Sequence, residues 1–244
     1  MIWSLKEMRS SPIVDLVPHG PENTTGDLVR AADKLARCPQ TLAANLTTAE
    51  LAPAMHTLQV IYICHLYGAG GLMNWLYPLL RDDCQVPTTF NSLELWAKQN
   101  PGAAREAACY SARILAISRI YPSASPNEPA MIFHAGTVLY FLAKVLPTRF
   151  VKDKPAVWLD QLSPGDDGLP SLVKTWISNG ESSMVCMHGV PSLLSDQGGR
   201  RIIDQMAELL KRRQVWGIAD SFLKVVLRIR DRTKNSSEWM ATKA

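Results

Sequence analysis

Two adjacent carboxylates, Asp82 and Asp83, form the pattern in this sequence that comes closest to a metal-binding motif. An aspartate-rich motif of this kind surrounds Mg²⁺ with carboxylate oxygens, and the metal in turn holds a diphosphate. The next positions are Cys84, Gln85 and Val86, so a third carboxylate is missing, and no second acidic motif lies at a suitable distance. We therefore interpret Asp82 and Asp83 as part of a solvated turn.

Two further segments contain residue types that bind phosphate or metal. The glycines of GAGG at 68–71 lack the Lys and the Ser or Thr of a phosphate loop, and they follow a predicted helix where that loop follows a strand. They suit a helix terminus instead. Cys186 and His188, on either side of Met187, are two zinc-ligand types, but a zinc site needs four ligands and no CxxC pair occurs. No metal site is expected.

The residues that could act in acid–base or nucleophilic catalysis are also isolated. His65 and His134 lie within apolar helical patterns and have no acidic partner nearby in sequence, so we interpret both as hydrogen-bonded core histidines. No serine stands in a G-x-S-x-G elbow, and no catalytic triad can be assigned from spacing. We predict no catalytic residue, no cofactor-binding residue and no cofactor, and we expect that the chain is not an enzyme.

The elements that position these side chains are predicted to be helices. Between Pro101 and Pro147, two long apolar segments flank the short polar joint SASPNEP, and apolar residues such as Ala107, Tyr110 and Ile114 recur every three or four positions. Alternating strand patterns are nearly absent. The predicted fold is all-α, a single irregular helical domain built around this central antiparallel helical hairpin. Ser125 with Glu128, or alternatively Asn127, is expected to cap its second helix.

We expect a flexible lead-in at 1–26, a helical domain at 27–232 and a tail at 233–244. A surface loop with at most a helical turn around Trp158 is predicted for 152–168. In the last helix, Ile218, Phe222, Val225 and Ile229 are expected to face inward. The other predicted helices cover 27–38, 72–80, 91–98, 169–178 and 196–213, and a long helix is predicted after the Thr47/Glu50 capping box. In the helix at 196–213, Ile202, Met206 and Leu209 are expected to face inward.

Composition narrows the class of protein. A net charge of +4 and a pI near 8.8 are too mild for DNA binding by this chain alone. Five widely separated cysteines indicate a reducing compartment, and the longest apolar run, at 129–145, is too short to cross a bilayer.

The segment from Arg200 to Lys234 holds ten Lys and Arg against four Asp and Glu. We interpret it as the solvated faces of two amphipathic helices, while contact with nucleic acid, an acidic partner or an import receptor stays open. The basic residues that would make such a contact are Lys211, Arg212, Arg213, Lys224, Arg228 and Arg232.

Three segments occur in an order that suggests a family. They are AREAACYSARILAISRIYPSASPNEPAMIFHAGTVLYFLAKVLP, then VWLDQ, and then GVPSLLSDQGGRRIIDQMAELLKRRQVWGIADSFLKVVLRIRD, within about Ala103 to Asp231. With its alanine-rich helix, its "YP…SPxEP" joint and its "WG…F…VL" ending, this order resembles the carboxy-terminal part of the fungal-specific transcription factor domain. That domain is the helical regulatory region of fungal zinc-finger and zinc-cluster transcription factors.

The resemblance implies a nuclear regulatory domain that does not contact DNA itself. It would relay the state of an effector, a partner or a dimer to a DNA-binding module. The implied protein partners are the transcription machinery or a second chain in a homo- or heterodimer. A small-molecule effector is also compatible with the resemblance. This sequence departs from the family pattern because it contains no zinc finger or zinc cluster. A truncated gene model and a genuine finger-less paralogue are both compatible with that departure.

Two other readings stay open at this point. One is a small-molecule sensor or degenerate helical enzyme, whose apolar pocket would be lined by Met73, Trp75, Tyr77, Trp176 and Trp216. The other is a pure protein-interaction module, in which a partner covers apolar surface that the chain leaves exposed.

Overall fold

The computed structural model describes residues 48–69, 72–81, 86–162 and 169–235. Within these ranges the chain forms eight helices and four strands of two residues each, so the predicted all-α class is confirmed. The helices are α1 (Thr48–Gly68), α2 (Leu72–Leu80), α3 (Val86–Gln99), α4 (Pro101–Ile120), α5 (Glu128–Val145), α6 (Ser171–Asn179), α7 (Asp196–Lys211) and α8 (Gly217–Asn235). The strands are β1 (Arg149–Phe150), β2 (Val157–Trp158), β3 (Glu181–Ser182) and β4 (Val185–Cys186).

Helices α4 and α5 supply the centre of the core. Each begins with a proline in its first turn, where the missing amide hydrogen costs no helical hydrogen bond. From Ala104 to Ser118 only Glu106 is more than marginally exposed, and every residue of α5 except Ala130 and Lys144 is buried. Helix α4 packs on α1, α5 and α6, while α5 also packs on α7 and α8. Surrounded on several sides, both helices are apolar over most of their circumference.

Small residues allow the helices around α5 to approach closely. A Cβ atom placed on Gly136 would lie 2.5 Å from the Met206 sulfur and 2.9 Å from its Cγ. Helix α7 therefore packs against bare backbone of α5 at this position. The approach uses the smallness of glycine, because Gly136 has no positive φ.

The inward faces of the last two helices differ in how well the sequence predicts them. Ile202, Met206 and Leu209 of α7 are buried, as expected. The assignment of Ile218 is wrong, because this side chain is 49% exposed in the first turn of α8. The most deeply buried stripe of α8 lies one position later, at Ala219, Leu223 and Val226. Phe222 and Val225 form its half-buried edge and Ile229 is buried.

The expected helical turn around Trp158 is also wrong, since this residue lies in strand β2. Four amides donate to alternate carbonyls of one extended segment, Arg149 to Gly180 at 2.8 Å, Val151 to Ser182 at 3.0 Å, Val157 to Met184 at 2.8 Å and Leu159 to Cys186 at 2.9 Å. The pairs β1–β3 and β2–β4 are both parallel. They therefore form one parallel ribbon that the loop at 152–156 interrupts. Burial of Val157 and Leu159 on either side of exposed Trp158 favours the extended backbone.

Several predictions concern residues outside the described ranges. The lead-in at 1–26, the helix at 27–38 and Thr47 lie there, as do Gly70, Gly71, Asp82 and Asp83. Helix α8 continues to Asn235, beyond the predicted domain end at 232.

Candidate functional site

A buried ion pair joins the helix joint to the turn between the last two helices. The Arg213 Nη2 atom donates to Glu128 Oε1 at 3.1 Å, and Arg213 Nε donates to the other carboxylate oxygen, Oε2. Glu128 is fully buried and Arg213 is 7% exposed. Bidentate pairing of this kind satisfies a buried guanidinium and carboxylate at the same time. We refer to SASPNEP at 123–129 as the joint segment and to KRRQVWG at 211–217 as the turn segment.

Backbone groups complete the environment of this pair. Arg213 Nη2 also donates to the carbonyl of Ser118, near the end of α4, at 3.2 Å. The backbone amide of Ser123 donates to Glu128 Oε2 at 3.2 Å. Two side chains thus link the end of α4, the joint segment, the start of α5 and the turn segment.

The capping box expected in the joint is wrong in its details. Ser125 Oγ accepts a hydrogen bond from the Asn127 amide at 3.3 Å, and the Glu128 carboxylate is directed at Arg213 and the Ser123 amide. Asn127, the alternative cap, occupies the N-cap position, but its side chain makes no capping hydrogen bond. The buried guanidinium is a stronger partner for a carboxylate than the neutral amide of a capping box.

A second polar contact joins other segments at the surface of the core. Asp160 Oδ2 accepts from Arg119 Nη2 at 3.0 Å and from the His188 amide at 2.9 Å. Asp160 is 7% exposed. It lies in VWLDQ, Arg119 lies in the last turn of α4, and His188 directly precedes the segment that begins GVPSLL. The carboxylate therefore holds these three segments together.

His134 lies between two tyrosine hydroxyl groups. Its Nε2 is 3.0 Å from the Tyr77 hydroxyl, and its Nδ1 is hydrogen-bonded to the Tyr67 hydroxyl. Rings of Phe133 and Phe222 also pack around the imidazole. Burial lowers the pKa of His134 from 6.5 to about 4, and burial likewise raises the pKa of Tyr67. The imidazole is therefore neutral at pH 7, with one ring nitrogen donating and the other accepting.

The remaining candidate ligands are dispersed. The His65 ring stacks on Tyr110 at 4.7 Å between ring centroids. Cys186 Sγ donates to the carbonyl of Pro191 at 2.9 Å, and Met187 is fully buried. Burial raises the pKa of Cys186, which keeps its thiol protonated. In the part of the chain that the structure describes, no three His, Cys, Asp or Glu side chains form a group that could hold a metal ion.

Three of the basic residues in the last two helices and the turn between them are buried or paired with a carboxylate. Arg213 is buried, so its assignment to a surface contact is wrong. Arg212 pairs with Glu208 at 3.3 Å, and Lys224 pairs with Asp220 at 2.8 Å. These i,i+4 pairs neutralise two of the exposed cations locally.

The aromatic residues proposed for a pocket lie in different surroundings. Trp75 packs on Trp96 of α3 at 5.5 Å between ring centroids, and Tyr77 contacts His134. Trp176 is fully buried on α6, which packs on α4, β2 and β3. Among the described residues no ring contact joins Trp176 to Trp75 or Tyr77. The side chain of Met73 is not among those that the structure describes.

Sequence reasoning did not identify the buried charges that link distant segments. Glu128 was expected to act as a cap, Arg213 as a surface cation, and Asp160 as part of a loop. Glu128 lies in the polar joint segment, where no local pattern marks it as buried. The identity of its partner depends on a contact between residues 85 positions apart.

No family model matches this chain, and neither the curated proteins nor the solved structures contain a match. Among the described helices, none has the length and apolar character needed to span a bilayer.

Proposed function

We propose that this chain is a regulatory domain of a fungal transcription factor. It acts in the nucleus, catalyses no reaction, and relays the state of a partner, effector or dimer to a DNA-binding module. The proposal begins from the order of the three resembling segments in the sequence. Its partners are the transcription machinery or a second regulator chain, and DNA is reached only through the DNA-binding module.

One structural observation carries the proposal. The joint segment contains the SPxEP part of the resemblance and the turn segment contains its WG, and the Glu128–Arg213 ion pair connects these two segments directly. A second resembling segment, VWLDQ, supplies Asp160, which bonds Arg119 on α4. Charged residues of the three resembling segments are thus partners of one another. These contacts support the view that the order of the three segments in the sequence reflects a single fold.

The same pair supplies a physical route for a relay. A partner that displaces the turn segment pulls Arg213 away from Glu128 and leaves a buried carboxylate without its cation. Breaking one side of a buried ion pair costs about 3–5 kcal/mol, so α5 and the turn segment move together. A state sensed at the end of α7 is in this way transmitted to the central pair of helices.

The sensor reading has weaker support. Its proposed lining residues include Trp176, which is fully buried on α6, and half-exposed Tyr77, whose ring contacts His134. A pure interaction module has more support, because Val215, Phe150 and Ile218 are large apolar side chains left substantially exposed.

The experiment is a tethering assay in a fungal cell. The whole chain is fused to an unrelated DNA-binding module, and a reporter gene carries the matching sites. We expect the fusion to enter the nucleus and to change reporter expression relative to the DNA-binding module alone. A reporter that is indifferent to the fusion, with the protein present at normal levels, would contradict the proposal.

A further inference from the structure

The joint segment contains a serine that is directly followed by a proline, Ser125 and Pro126. Ser-Pro pairs occur in the sequence at Ser11, Ser125 and Ser163, and of these only Ser125 belongs to the residues that the structure describes. Protein kinases of the proline-directed class select a serine by the proline that follows it, a residue without a backbone amide hydrogen. The sequence around Ser125 therefore fits such a kinase.

The joint segment lies at the surface of the fold. Pro122, Ala124, Pro126 and Asn127 are exposed, and Ser125 is half-buried. Residues 122–125 belong to neither a helix nor a strand, and a residue that precedes proline is held in an extended conformation. The backbone around Ser125 is therefore open to an enzyme from outside the core.

The side-chain oxygen of Ser125 already faces a backbone amide. Ser125 Oγ accepts a hydrogen bond from the Asn127 amide at 3.3 Å, and the Ser125 carbonyl accepts from the Glu128 amide at 3.1 Å. A phosphate on this oxygen adds three stronger acceptor oxygens and nearly two negative charges. The backbone amides at the start of α5 are the nearest donors along the chain.

Helix α5 has an N-cap position without a side-chain cap. Asn127 occupies that position, but its side chain makes no capping hydrogen bond, and the Glu128 carboxylate is directed at Arg213. Since Pro129 has no amide hydrogen, the amide that a cap would reach is that of Ala130. The positive end of the helix dipole favours an added negative charge at this point.

We propose that a proline-directed protein kinase phosphorylates Ser125, and that the phosphate caps the start of α5. The Ser125 oxygen attacks the γ-phosphorus of ATP, and its new bond forms as the bond from the γ-phosphorus to the β–γ bridging oxygen breaks. ADP leaves, and the hydroxyl proton passes to the catalytic carboxylate of the kinase. The phosphate oxygens then accept from the amides of Asn127 and Ala130.

This modification regulates the connection between the joint segment and the turn segment. The joint segment carries Glu128, whose carboxylate reaches the turn segment through Arg213. A phosphate that fixes the joint segment therefore stiffens one end of that connection. This consequence rests on the proposed relay, whereas the modification itself does not, because a kinase assay on the purified chain is independent of the reporter assay.

The first test uses the full chain with Ser11→Ala and Ser163→Ala, which leaves Ser125 in the one remaining Ser-Pro pair. A recombinant proline-directed kinase and ATP are added under native conditions, and mass spectrometry of the digested chain locates the phosphate. A synthetic peptide of residues 119–131 verifies that the kinase is active. We expect phosphate on Ser125 of the folded chain, and none after Ser125→Ala or Pro126→Ala.

The second test compares the thermal unfolding midpoint with and without the phosphate. We expect phosphorylation to raise the midpoint by about 1–4 °C, the effect of an anion at a helix N-terminus in a chain of this length. The rise should shrink at higher ionic strength. Ser125→Asp should give a smaller rise. The control is Ser92→Asp, at an exposed position inside α3, where we expect no rise.

Two results would overturn the proposal. Absence of phosphate from Ser125 in the folded chain, under conditions in which the peptide is modified, would show that the joint segment does not present this serine. A midpoint that stays unchanged or falls when Ser125 is phosphorylated would show that the phosphate does not cap α5.

Discussion

Glu128 and Arg213 lie 85 positions apart in the sequence and form a bidentate ion pair in the core. The pair occupies the point where the joint segment meets the turn segment. Arg213 also donates to the Ser118 carbonyl, and Glu128 also accepts from the Ser123 amide, so both side chains have further hydrogen bonds within the protein. Each charge consequently depends on the other for its stability in the folded protein.

Removing either charge should therefore destabilise the fold strongly. We expect Glu128→Gln or Arg213→Met to lower the free energy of unfolding by about 3–5 kcal/mol, since each leaves a buried charge without its counterion. Urea denaturation followed by circular dichroism measures this loss.

The matched control is Arg212→Met, one position away. Arg212 pairs with Glu208 on the exposed side of α7, and an exposed i,i+4 pair contributes about 0.3–0.5 kcal/mol. Equal losses for Arg212→Met and Arg213→Met would show that the Glu128–Arg213 pair has no special role.

Gly136 should tolerate no side chain while Met206 is present. Gly136→Ala gains about 1 kcal/mol of helix propensity, but its Cβ would meet the Met206 sulfur, and overpacking costs about 1–3 kcal/mol. We expect a net loss of stability in thermal denaturation.

Two comparisons isolate the clash. Gly217→Ala, where an added Cβ meets nothing within 4 Å, should cause no loss. In the Gly136→Ala background, Met206→Ala should cost less than it does in the native chain. Additive losses would mean that the two side chains do not collide.

His134 should make the stability of the fold depend on pH. Its pKa is lowered to about 4 in the folded protein from an ordinary value of 6.5, so the unfolded chain binds the extra proton first as the pH falls. The free energy of unfolding should be independent of this group above about pH 6.5 and should fall between pH 6.5 and 4. At about 1.4 kcal/mol for each unit of pKa difference, the total loss is on the order of 3 kcal/mol.

The measurement is urea denaturation at a series of pH values, compared with His134→Gln. The difference in pH dependence between the native chain and this variant isolates the imidazole from carboxylates that titrate nearby. A native slope that survives in His134→Gln would contradict the assignment.

Trp176 and Trp158 should differ sharply in their contribution to stability. Trp176 is fully buried against α4 and the ribbon, so Trp176→Ala should cost about 3–5 kcal/mol. Trp158→Ala on β2 should cost much less, because its side chain is 41% exposed. Thermal unfolding midpoints give the comparison, and similar shifts for the two variants would be evidence against the outward orientation of Trp158.

Periodicity predicted the buried faces well where a helix packs along its whole length. Ile202, Met206 and Leu209 of α7 repeat at helical spacing and are all buried. In α8 the predicted stripe begins at Ile218, one position before the buried stripe, which begins at Ala219. Ile218 lies in the first turn of the helix, directly after the turn segment, and its side chain stays exposed. The local sequence pattern does not show at which residue a neighbouring helix first makes contact.

The ribbon and the buried charges could not be predicted in the same way. Each strand has only two residues, too few for an alternating pattern to stand out, and its hydrogen-bond partner lies about thirty positions away. Glu128 fitted a local capping pattern equally well. Only the fold places a guanidinium within reach of it, and a charge-assisted pair then prevails over the neutral cap.

The tethered reporter, read with matched variants, measures directly whether the Glu128–Arg213 pair relays a state. We expect the native fusion to change expression and Arg213→Met to abolish this change, while Arg212→Met preserves it, at equal protein levels. Combining Arg213→Met with Glu128→Leu removes the unpaired buried charge; this double variant should fold and yet relay weakly. A native fusion without effect, or a reporter response that Arg213→Met leaves unchanged, would contradict a relay through this pair.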